Sequence, residues 1–360
     1  MQTDISVHPV DPAKSRPKPV DENNLVFGRV FSDHMFMMDF TGKRGWHNAR
    51  IVPYHPLEMD PAAMVLHYGQ GIFEGLKAYR WSNNEICLFR PEQNWERFNR
   101  SAQRMCMPEI DPGFQMQAAE RLISLDRDWV PHSVGSSLYI RPTMIATEPH
   151  LGVSPADEYL YYIITGPVAA YYAEGFNPVK IYVSEEYVRT VRGGVGEAKT
   201  MANYASSLYA AQVAKEKGFT QVLWLDAVER RYVEEVGTSN IFFRIGEELV
   251  TPPLAGSILP GVTRNCVIQL ARHWGIEVTE RQISIDEVIE TAESGKMKEM
   301  FASGTAAVIS PVGEISYRDR SYRISDGSVG EWARKLYDEI LGIQYGERED
   351  VIGWIRHLNL

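Results

Sequence analysis

The stretch GPVAAYYAEGFNPV, residues 166–179, divides the sequence into two parts. Its prolines, glycines and asparagine interrupt the apolar residues, which is typical of a loop between ordered segments. The strand-like run EYLYYIITG (158–166) ends where this stretch begins, and VKIYVSE (179–185) starts where it ends. We therefore expect an interdomain linker over residues 167–179, with one domain on each side.

The length and composition agree with two domains. The chain has 360 residues, of which 44% are apolar and 23% are charged, as in ordinary globular proteins. A single core stops growing at roughly 250–300 residues, so this chain has room for two. We expect a small N-terminal domain over 25–166 and a larger C-terminal domain over 180–360. Residues 1–24 carry prolines and charges but no apolar block, which predicts a flexible tail rather than a targeting peptide.

The charge balance excludes one class of partner. The chain has 37 basic and 47 acidic residues, a net charge of −10. Nucleic-acid binding needs a clustered basic face, so we expect no nucleic acid as a partner. Any anionic ligand must be held by local donors rather than by the field of the whole protein.

The cysteines and the apolar runs indicate where the protein works. Cys87, Cys106 and Cys266 lie far apart, and no cysteine or histidine has the spacing of a metal site. A sparse, odd number of cysteines is typical of a reducing compartment. No apolar run approaches the ~18 residues that a membrane helix needs. We expect a cytoplasmic protein with no metal and no membrane partner.

The order of predicted elements favours an α+β fold over a doubly wound sheet, because strands and helices do not alternate strictly. The strand-like stretches are 26–40, 86–90, 137–145, 158–166, 179–185 and 221–227, followed by a hairpin around Gly246 (240–253) and a Gly-Thr turn inside 300–312. The helix-like stretches are the one after Pro91 and those over 204–218, 263–275 and 283–295. The last of these begins with Ser284 and Glu287 at capping-box spacing.

One lysine has unusual neighbours. Lys199 lies in GGVGEAKTMANYA (193–205), between glycines and small residues, with Glu197 as the nearest acid in sequence. A lone lysine is most often a solvated surface residue. A lysine that forms a Schiff base must instead lose its proton near neutral pH, which burial can achieve. Glycines would let a ligand approach the backbone, and Tyr204 could present its phenol to a flat ring, although a core aromatic is the commoner reading.

Three further stretches carry acids or anion-binding turns. In VEEVGTSNIFF (233–243), Glu235 could keep a heteroaromatic nitrogen protonated, or be a surface carboxylate beside a turn, as we expect for Glu234. LPGVTR (259–264) leads into a helix whose first N–H groups could bind an anion, unless Thr263 simply caps it. ASGTAA (302–307) offers similar donors or an ordinary tight turn. A lysine, an acid and Gly-Thr turns together suit pyridoxal 5′-phosphate (PLP), which has an aldehyde, a ring nitrogen and a phosphate.

Several of these stretches resemble the branched-chain amino-acid aminotransferases, which are PLP enzymes of fold type IV. The resemblance extends from about Leu25 to about Gly346 and is carried by LHYGQGIFEGLKAYR (66–80), NWERFNRSAQR (94–104), SLYIRPTMIATEPHLGV (137–153), GGVGEAKTMANY (193–204), EEVGTSNIFF (234–243), TPPLAGSILPGVTR (251–264) and FASGTAAVISPV (301–312). It implies an α+β fold with two domains. One is a small domain with a mainly antiparallel sheet, and the other is a larger PLP-binding domain with a pseudo-barrel sheet and flanking helices.

The resemblance also implies roles for individual residues toward the cofactor. Lys199 would be the catalytic lysine that joins PLP covalently and moves protons. Tyr204 would bond the ring hydroxyl oxygen, and Glu235 the pyridine nitrogen. The phosphate would be bound by Arg97, Val262, Thr263 and Thr305.

Other residues would bind the substrate. The resemblance places Tyr139, Arg141 and the amides of Thr305 and Ala306 near the substrate carboxylate. It implies an apolar side-chain pocket lined by Phe27, Tyr68, Phe73, Tyr171 and Thr238. Tyr68, Leu151 and Val153 would reach across from a second subunit, so a homodimer is expected.

Two positions depart from the family pattern. Met201-Ala202 stands where Gly-Gly often precedes the Asn-Tyr pair, which would tighten the space near the cofactor. Ala307 and Ser310 occupy the positions of a CxxC found in some members, so no thiol switch is expected there.

The expected reaction is reversible transfer of an amino group from leucine, isoleucine or valine to 2-oxoglutarate, with ping-pong kinetics. The first alternative is another enzyme of the same cofactor class, a D-amino-acid aminotransferase or an aminodeoxychorismate lyase. A non-catalytic PLP-binding protein is a second alternative. A lysine aldolase without a cofactor is a third, but it leaves the anion-binding turns unexplained.

Overall fold

The computed structural model describes residues 4–169 and 176–358. The chain forms two compact units, and each is described by itself. The first unit holds Met1–Tyr171, Ala198–Met201 and Gly342–Leu360. The second unit holds Tyr172–Glu197 and Ala202–Leu341. Both units combine helices with a sheet, which confirms the α+β fold class.

The sheet of the first unit is almost entirely antiparallel. Its strands are β1 (Ser6–Val7), β2 (His34–Thr41), β3 (Gly45–Pro53), β4 (Gly71–Phe73), β5 (Leu76–Arg80), β6 (Ile86–Phe89), β7 (Ser137–Ala146), β8 (Glu158–Val168) and β18 (Ile355–His357). They follow the order β1-β3-β2-β8-β7-β5-β6-β18, and β4 pairs with β7 beside this path. Only the β1–β3 pair is parallel within the described part of this sheet.

The helices of the first unit are α1 (Met64–Tyr68), α2 (Pro91–Arg104) and α3 (Pro112–Leu125), with short 3-10 turns at Pro12–Lys14 and Arg127–Trp129. Helix α2 begins at a proline, which suits the first helical position because that residue needs no N–H donor there. It buries Trp95, Phe98 and Ala102, and these pack into one core with residues of the sheet. The same inner face also carries buried Asn94 and Arg97, so α2 delivers polar groups into the unit.

The sheet of the second unit is mixed. Its strands are β9 (Val179–Val183), β10 (Gln221–Leu225), β11 (Val233–Val236), β12 (Asn240–Ile245), β13 (Glu248–Thr251), β14 (Glu277–Glu280), β15 (Met297–Gly304), β16 (Val308–Tyr317) and β17 (Arg320–Arg323). They follow the order β11-β10-β9-β16-β15-β12-β13-β14, and β17 pairs with β16. The pairs β9–β10, β9–β16 and β13–β14 are parallel.

Helices α5 (Val262–His273) and α6 (Ile285–Glu293) belong wholly to the second unit, whereas α4 (Met201–Glu216) begins and α7 (Glu331–Gln344) ends in segments of the first. The Ser284 side chain accepts a hydrogen bond from Glu287 N at 3.1 Å, as the capping-box spacing predicts. Gly246 has φ +61° between β12 and β13, which fits its place in the predicted hairpin.

The division of the chain into units differs from the predicted boundaries at two segments. Residues 198–201 and 342–360 group with the first unit rather than with the rest of the C-terminal part. The predicted tail contains a short strand. Ser6 and Val7 pair with Arg50 and Ile51 of β3, because a short edge strand there completes the sheet. Of the predicted linker, residues 170–175 lie outside the described residues.

In the part of the chain that the structure describes, no helix is both long and apolar enough to cross a membrane.

Candidate active site

The backbone of Lys199 is fixed within the first unit by strand β4 and helix α2. Lys199 O accepts a hydrogen bond from Phe73 N at 3.0 Å, and Thr200 forms an isolated bridge with Ile72. Lys199 N donates to Ser101 Oγ at 2.9 Å on α2. The segment around Lys199, although far from β4 in sequence, therefore pairs with β4 like a short extra strand. This pairing explains why the segment groups with the first unit.

The side chain of Lys199 lies beside aromatic and charged groups of the same unit. Its Nζ is 5.0 Å from the centre of the Phe73 ring, within the range of a cation–π contact. The guanidinium of Arg141 lies 4.6 Å from the centre of the same ring and donates to Tyr139 Oη at 2.8 Å. Phe27 meets the Tyr139 ring edge-on at 4.9 Å. The first unit thus brings together Lys199 and four of the predicted substrate-binding residues.

Arg97 forms a buried ion pair with Glu74. Its Nε and Nη2 donate to the two carboxylate oxygens of Glu74 at 2.7 and 2.8 Å, and Glu74 is 0% exposed. Asn94 Nδ2 and Gly75 N also donate to Glu74. Burial acts to raise the pKa of Glu74, but the charge and hydrogen bonds of Arg97, with smaller contributions from Lys199 and Asn94, hold it below its ordinary value. Glu74 is therefore a carboxylate that fixes the Arg97 guanidinium.

Glycine at position 75 makes room for Tyr139. A Cβ on Gly75 would lie 2.0 Å from Tyr139 Oη, so a side chain there would displace the phenol. The Arg141 Nε–H, which belongs to the same cluster, is buried and donates to no acceptor among the described residues. A buried N–H without an acceptor is costly and indicates a place for an anionic group.

Met201 packs tightly against β4. A Cβ on Gly71 would lie 2.8 Å from Met201 Sδ, so the thioether fills the space in front of this glycine. Met201, which stands where the family pattern often has glycine, therefore occupies volume next to the Lys199 segment.

The residues predicted to reach another subunit lie on the surface of the first unit. Tyr68, Leu151 and Val153 are 40%, 62% and 87% exposed. Tyr68 Oη donates to Leu151 O, which holds helix α1 and the loop after β7 together. Tyr68 and Leu151 are therefore neighbours on this surface, and Val153 follows Leu151 closely in the same loop.

In the second unit, Glu235 is buried on β11 and forms an ion pair. Its Oε2 lies 2.5 Å from Arg189 Nη2, and its Oε1 accepts from Asn240 Nδ2 at 3.1 Å. Arg189 also donates to the carbonyl oxygens of Ser257 and Gly196. Glu235 is therefore not a surface carboxylate beside a turn.

Asn240 links Glu235 to the loop before α5. Besides Glu235, its Nδ2 bonds Leu259 O at 3.0 Å. A Cβ on Gly261 would lie 2.0 Å from Asn240 Oδ1, so only glycine lets this loop approach so closely. Helix α5 then begins at Val262 with Gly261 as N-cap and no side-chain cap. Capping by Thr263 is thereby excluded, since Thr263 lies inside the first turn, where it is buried.

The two Gly-Thr turns are neighbours in the second unit. Asn240 at the start of β12 pairs with Ser303 at the end of β15, so the turns after β11 and after β15 meet at one edge of the sheet. A Cβ on Gly304 would lie 2.9 Å from Ser239 Oγ. Thr305 and Ala306 lie in the turn between β15 and β16. The first N–H groups of α5 lie at a helix N-terminus, a position that favours the binding of an anion.

Tyr204 also belongs to this part of the second unit. A small cavity is lined by Tyr204 and Asn203 of α4, Glu235 and Thr238, together with Arg189 and Leu259. Tyr171, the remaining predicted site residue, lies outside the described residues.

Comparison with known proteins identifies the family. Residues 71–315 match the amino-transferase class IV family, and this range contains Lys199, Glu235 and both Gly-Thr turns. The chain belongs to the class IV aminotransferases.

Relatives of this class IV aminotransferase are similar to it over nearly their whole lengths. It is 57% identical over 339 residues, 94% of this chain and 93% of the relative, to branched-chain-amino-acid aminotransferase 2 of Bacillus subtilis (strain 168). A crystal structure of the Escherichia coli branched-chain amino acid aminotransferase gives a TM-score of 0.76 at 27% identity, over 91% of this chain and 99% of that one. The branched-chain amino acid aminotransferase of Thermobaculum terrenum, in its PLP form, gives 0.74 at 26% identity, over 91% and 99%.

Class IV aminotransferases use PLP, and the residues present fit this cofactor. The buried Nε–H of Arg141 without an acceptor and the uncapped start of α5 offer donors that suit anionic groups. Glu235 is a buried acid and Lys199 an amine, and PLP has a ring nitrogen and an aldehyde that suit such groups. The enzyme is therefore a PLP-dependent aminotransferase.

Three polar residues of these clusters were missed by reasoning from the sequence. Glu74 follows Phe73 in GQGIFEG, Arg189 lies ten residues before Lys199, and Asn240 ends the GTSN turn. Glu74 and Asn240 lie inside stretches that carry the family resemblance. However, their roles depend on the partners that folding gives them, and no local signal reveals those partners.

Proposed function

We propose that the enzyme transfers the amino group of L-leucine, L-isoleucine or L-valine to 2-oxoglutarate, giving the branched 2-oxo acid and L-glutamate. The observation that carries this proposal is the 57% identity, over 94% of the chain, to a relative named for this activity. The cluster of Lys199, Phe73, Tyr139 and Arg141 supports it, because it combines an amine, an aromatic wall and a carboxylate-binding guanidinium.

The proposed roles toward the cofactor belong to residues of both units. Arg97, held by Glu74, would bind the phosphate with the start of α5 at Val262 and Thr263 and with Thr305. Glu235 would hold the proton of the pyridine nitrogen, with Arg189 and Asn240 fixing its carboxylate. Tyr204 would bond the ring hydroxyl oxygen.

The bound cofactor supplies an electron-accepting ring that makes the α-proton of an attached amino acid acidic. Lys199 would hold the cofactor covalently and would then act as the base that takes this proton and returns it on the cofactor side. Its backbone bonds to Phe73 and Ser101 fix the point from which the side chain acts.

We assign substrate binding to residues of the first unit and to residues in two turns of the second unit. Arg141 and Tyr139, with the amides of Thr305 and Ala306, would bind the substrate carboxylate. Phe27, Tyr68, Phe73, Tyr171 and Thr238 would surround an apolar side chain. Discrimination among leucine, isoleucine and valine should be modest, because one methylene is worth only ~1–3 kcal/mol in such a pocket.

The exposed apolar group of Tyr68, Leu151 and Val153 supports a homodimer. Large apolar side chains gathered on a surface indicate an interface. In the proposed dimer these side chains would serve the site of the partner subunit. Sedimentation of the Leu151→Asp variant tests this, and a purely monomeric wild-type protein would contradict it.

The proposed location is the cytoplasm. None of Cys87, Cys106 and Cys266 forms a disulfide in the described chain, which supports a reducing compartment.

The experiment that tests the proposed function is a half-reaction survey. Purified holoenzyme is mixed with L-leucine, L-isoleucine, L-valine, L-glutamate or D-alanine, and conversion of the cofactor to its pyridoxamine form is followed by absorbance. We expect conversion by the four L-amino acids. Conversion by D-alanine alone would favour a D-amino-acid aminotransferase, and conversion by none would favour a non-catalytic protein.

A further inference from the structure

A second cavity lies in the second unit, on the other side of β11 from Glu235. Its volume is about 250 Å³, several times the ~30 Å³ that a water molecule occupies in the liquid. Glu234 lines this cavity, whereas Glu235 lines the small cavity beside Tyr204. This follows from the strand, because successive side chains point to opposite faces. The proposed catalytic roles make no use of Glu234.

Glu234 presents a carboxylate oxygen that has no partner. Its Oε1 accepts a hydrogen bond from Ser257 Oγ. Its Oε2 is buried and accepts none from the described residues. Burial raises the pKa of Glu234, against the lowering effects of the Ser257 hydrogen bond and of the charges of Arg189 and Arg192. A donor placed at Oε2 would remove the cost of this unpaired buried oxygen.

Asp226, another acid in the cavity wall, cannot take this role. Both of its oxygens already accept hydrogen bonds from backbone N–H groups, those of Val228, Glu229, Arg231 and Tyr232. These bonds hold the pKa of Asp226 below its ordinary value despite partial burial. Of the two carboxylates that are at least partly buried in this wall, Glu234 is therefore the one with an oxygen left for a ligand, whereas Glu229 is exposed at the rim.

The remaining lining supplies a cation and an apolar wall. Arg192 lines the cavity with an exposed side chain, and no described residue forms an ion pair or hydrogen bond with its guanidinium. Val191, Pro252 and Ile258 provide apolar surface. A carboxylate, a guanidinium and apolar walls in one cavity match the three parts of an apolar α-amino acid.

We propose that this cavity binds a small apolar α-amino acid, with its ammonium on Glu234, its carboxylate on Arg192 and its side chain against the apolar wall. The inference rests on the proposed function, since such an amino acid is then the enzyme's own substrate or product. The cavity would be a second site that responds to the concentration of that amino acid.

Ser257 connects this second site to Glu235. Its Oγ bonds Glu234, and its carbonyl oxygen accepts from Arg189 Nη2 at 2.5 Å and from Thr190 Oγ1 at 2.8 Å. The same Arg189 nitrogen contacts Glu235. A ligand that shifts Glu234 and Ser257 therefore alters the Arg189–Glu235 pair, and the absorbance of bound cofactor should report its binding.

The test uses the enzyme in its pyridoxamine form, which cannot react with an amino acid. Holoenzyme is first converted with L-glutamate, freed of small molecules, and titrated with L-leucine by calorimetry and absorbance. We expect one equivalent bound per chain, with both signals saturating together. Glu234→Gln and Arg192→Ala should each raise the Kd at least ten-fold and keep kcat within two-fold of the wild type.

The matched control is Glu229→Gln, which removes the same charge from the rim of this cavity and should change the Kd less than two-fold. No binding by the wild type would overturn the inference, as would an unchanged Kd in the Glu234 and Arg192 variants, which would locate leucine in the catalytic site. Failure of the first conversion with L-glutamate would instead overturn the proposed function, so the two failures are distinguishable.

Discussion

Each unit contains one buried ion pair that holds a predicted catalytic or cofactor-binding group, and the two pairs are built differently. In the first unit, both Glu74 oxygens bind Arg97, and Asn94 and Gly75 N add further donors. In the second unit, Glu235 divides its oxygens between Arg189 and Asn240, while Arg189 also bonds two backbone carbonyl oxygens. Arg97 thus meets one carboxylate through two hydrogen bonds, whereas Arg189 divides its bonds between a carboxylate and backbone carbonyl oxygens.

The difference indicates different functions for the two carboxylates. Glu74 has its charge matched by Arg97 inside the core of one unit, so it acts by fixing that guanidinium. Glu235 lines a small cavity with Tyr204 and Thr238, which supports its proposed role toward the cofactor. Removal of Glu74 should therefore affect folding most, and removal of Glu235 should affect catalysis most.

The largest expected effect is that of Lys199→Ala. The variant should lose transamination by on the order of 10⁴-fold or more, because both the covalent anchor and the proton-transfer base are removed. It should also lose the pH-dependent visible absorbance of the holoenzyme. Stopped-flow absorbance with L-leucine measures both, with Lys215→Ala on exposed α4 surface as the control. Normal turnover in Lys199→Ala would rule out the mechanism.

Glu74→Ala should lower the free energy of unfolding by about 3–5 kcal/mol, because it leaves Arg97 buried without its partner. Urea denaturation of the wild type and the variant measures this loss. Glu96→Ala, on the exposed face of the same helix as Arg97, is the matched control and should change stability by less than about 1 kcal/mol. Equal losses of unfolding free energy in the two variants would mean that the buried Glu74–Arg97 pair contributes no more to stability than the exposed Glu96.

Glu235→Gln should reduce kcat by about 10²–10³-fold while lowering the free energy of unfolding less than Glu74→Ala does. The amide keeps the size of the side chain, and Arg189 retains its bonds to Ser257 O and Gly196 O. Steady-state kinetics with L-leucine and 2-oxoglutarate, run beside urea denaturation, separates the two effects. A loss of stability in proportion to the loss of rate would make Glu235 structural and remove the contrast with Glu74.

The smallest expected effect concerns Lys77 of the first unit, where burial lowers its pKa to about 8. The unfolded chain then binds a proton at pH values where the folded chain does not, so stability falls as the pH drops from about 10.5 toward 8, by up to about 3 kcal/mol. Lys77→Met should remove this penalty. Its gain in unfolding free energy over the wild type should be larger at pH 7 than at pH 10, and an equal gain at both would contradict the expectation.

Local patterns in the sequence predicted several elements well. The hairpin around Gly246, the capping box at Ser284 and the strands near 137–145 and 221–227 all depend on neighbours close in sequence, and the structure has each of them. The β-rich stretch 26–40 predicts a strand that starts too early, since β2 begins only at His34. The order of these elements was enough to predict an α+β fold.

Long-range pairing could not be predicted in the same way. Residues 198–201 join β4, and β18 pairs with β6 across most of the chain. Neither segment has a local pattern that differs from its surroundings, so both were assigned to the C-terminal domain. For the same reason the sequence predicts a surface carboxylate at Glu234, although its Oε2 is buried.

The sequence by itself determined the family and the cofactor, and it predicts the residues that carry chemistry, because these depend on residue types at fixed local spacing. Only the tertiary structure decided which charge faces which: Glu74 against Arg97, Glu235 against Arg189, and Glu234 toward a separate cavity. Burial and partners set the charge and position of such groups, and both are properties of the folded chain rather than of any short stretch.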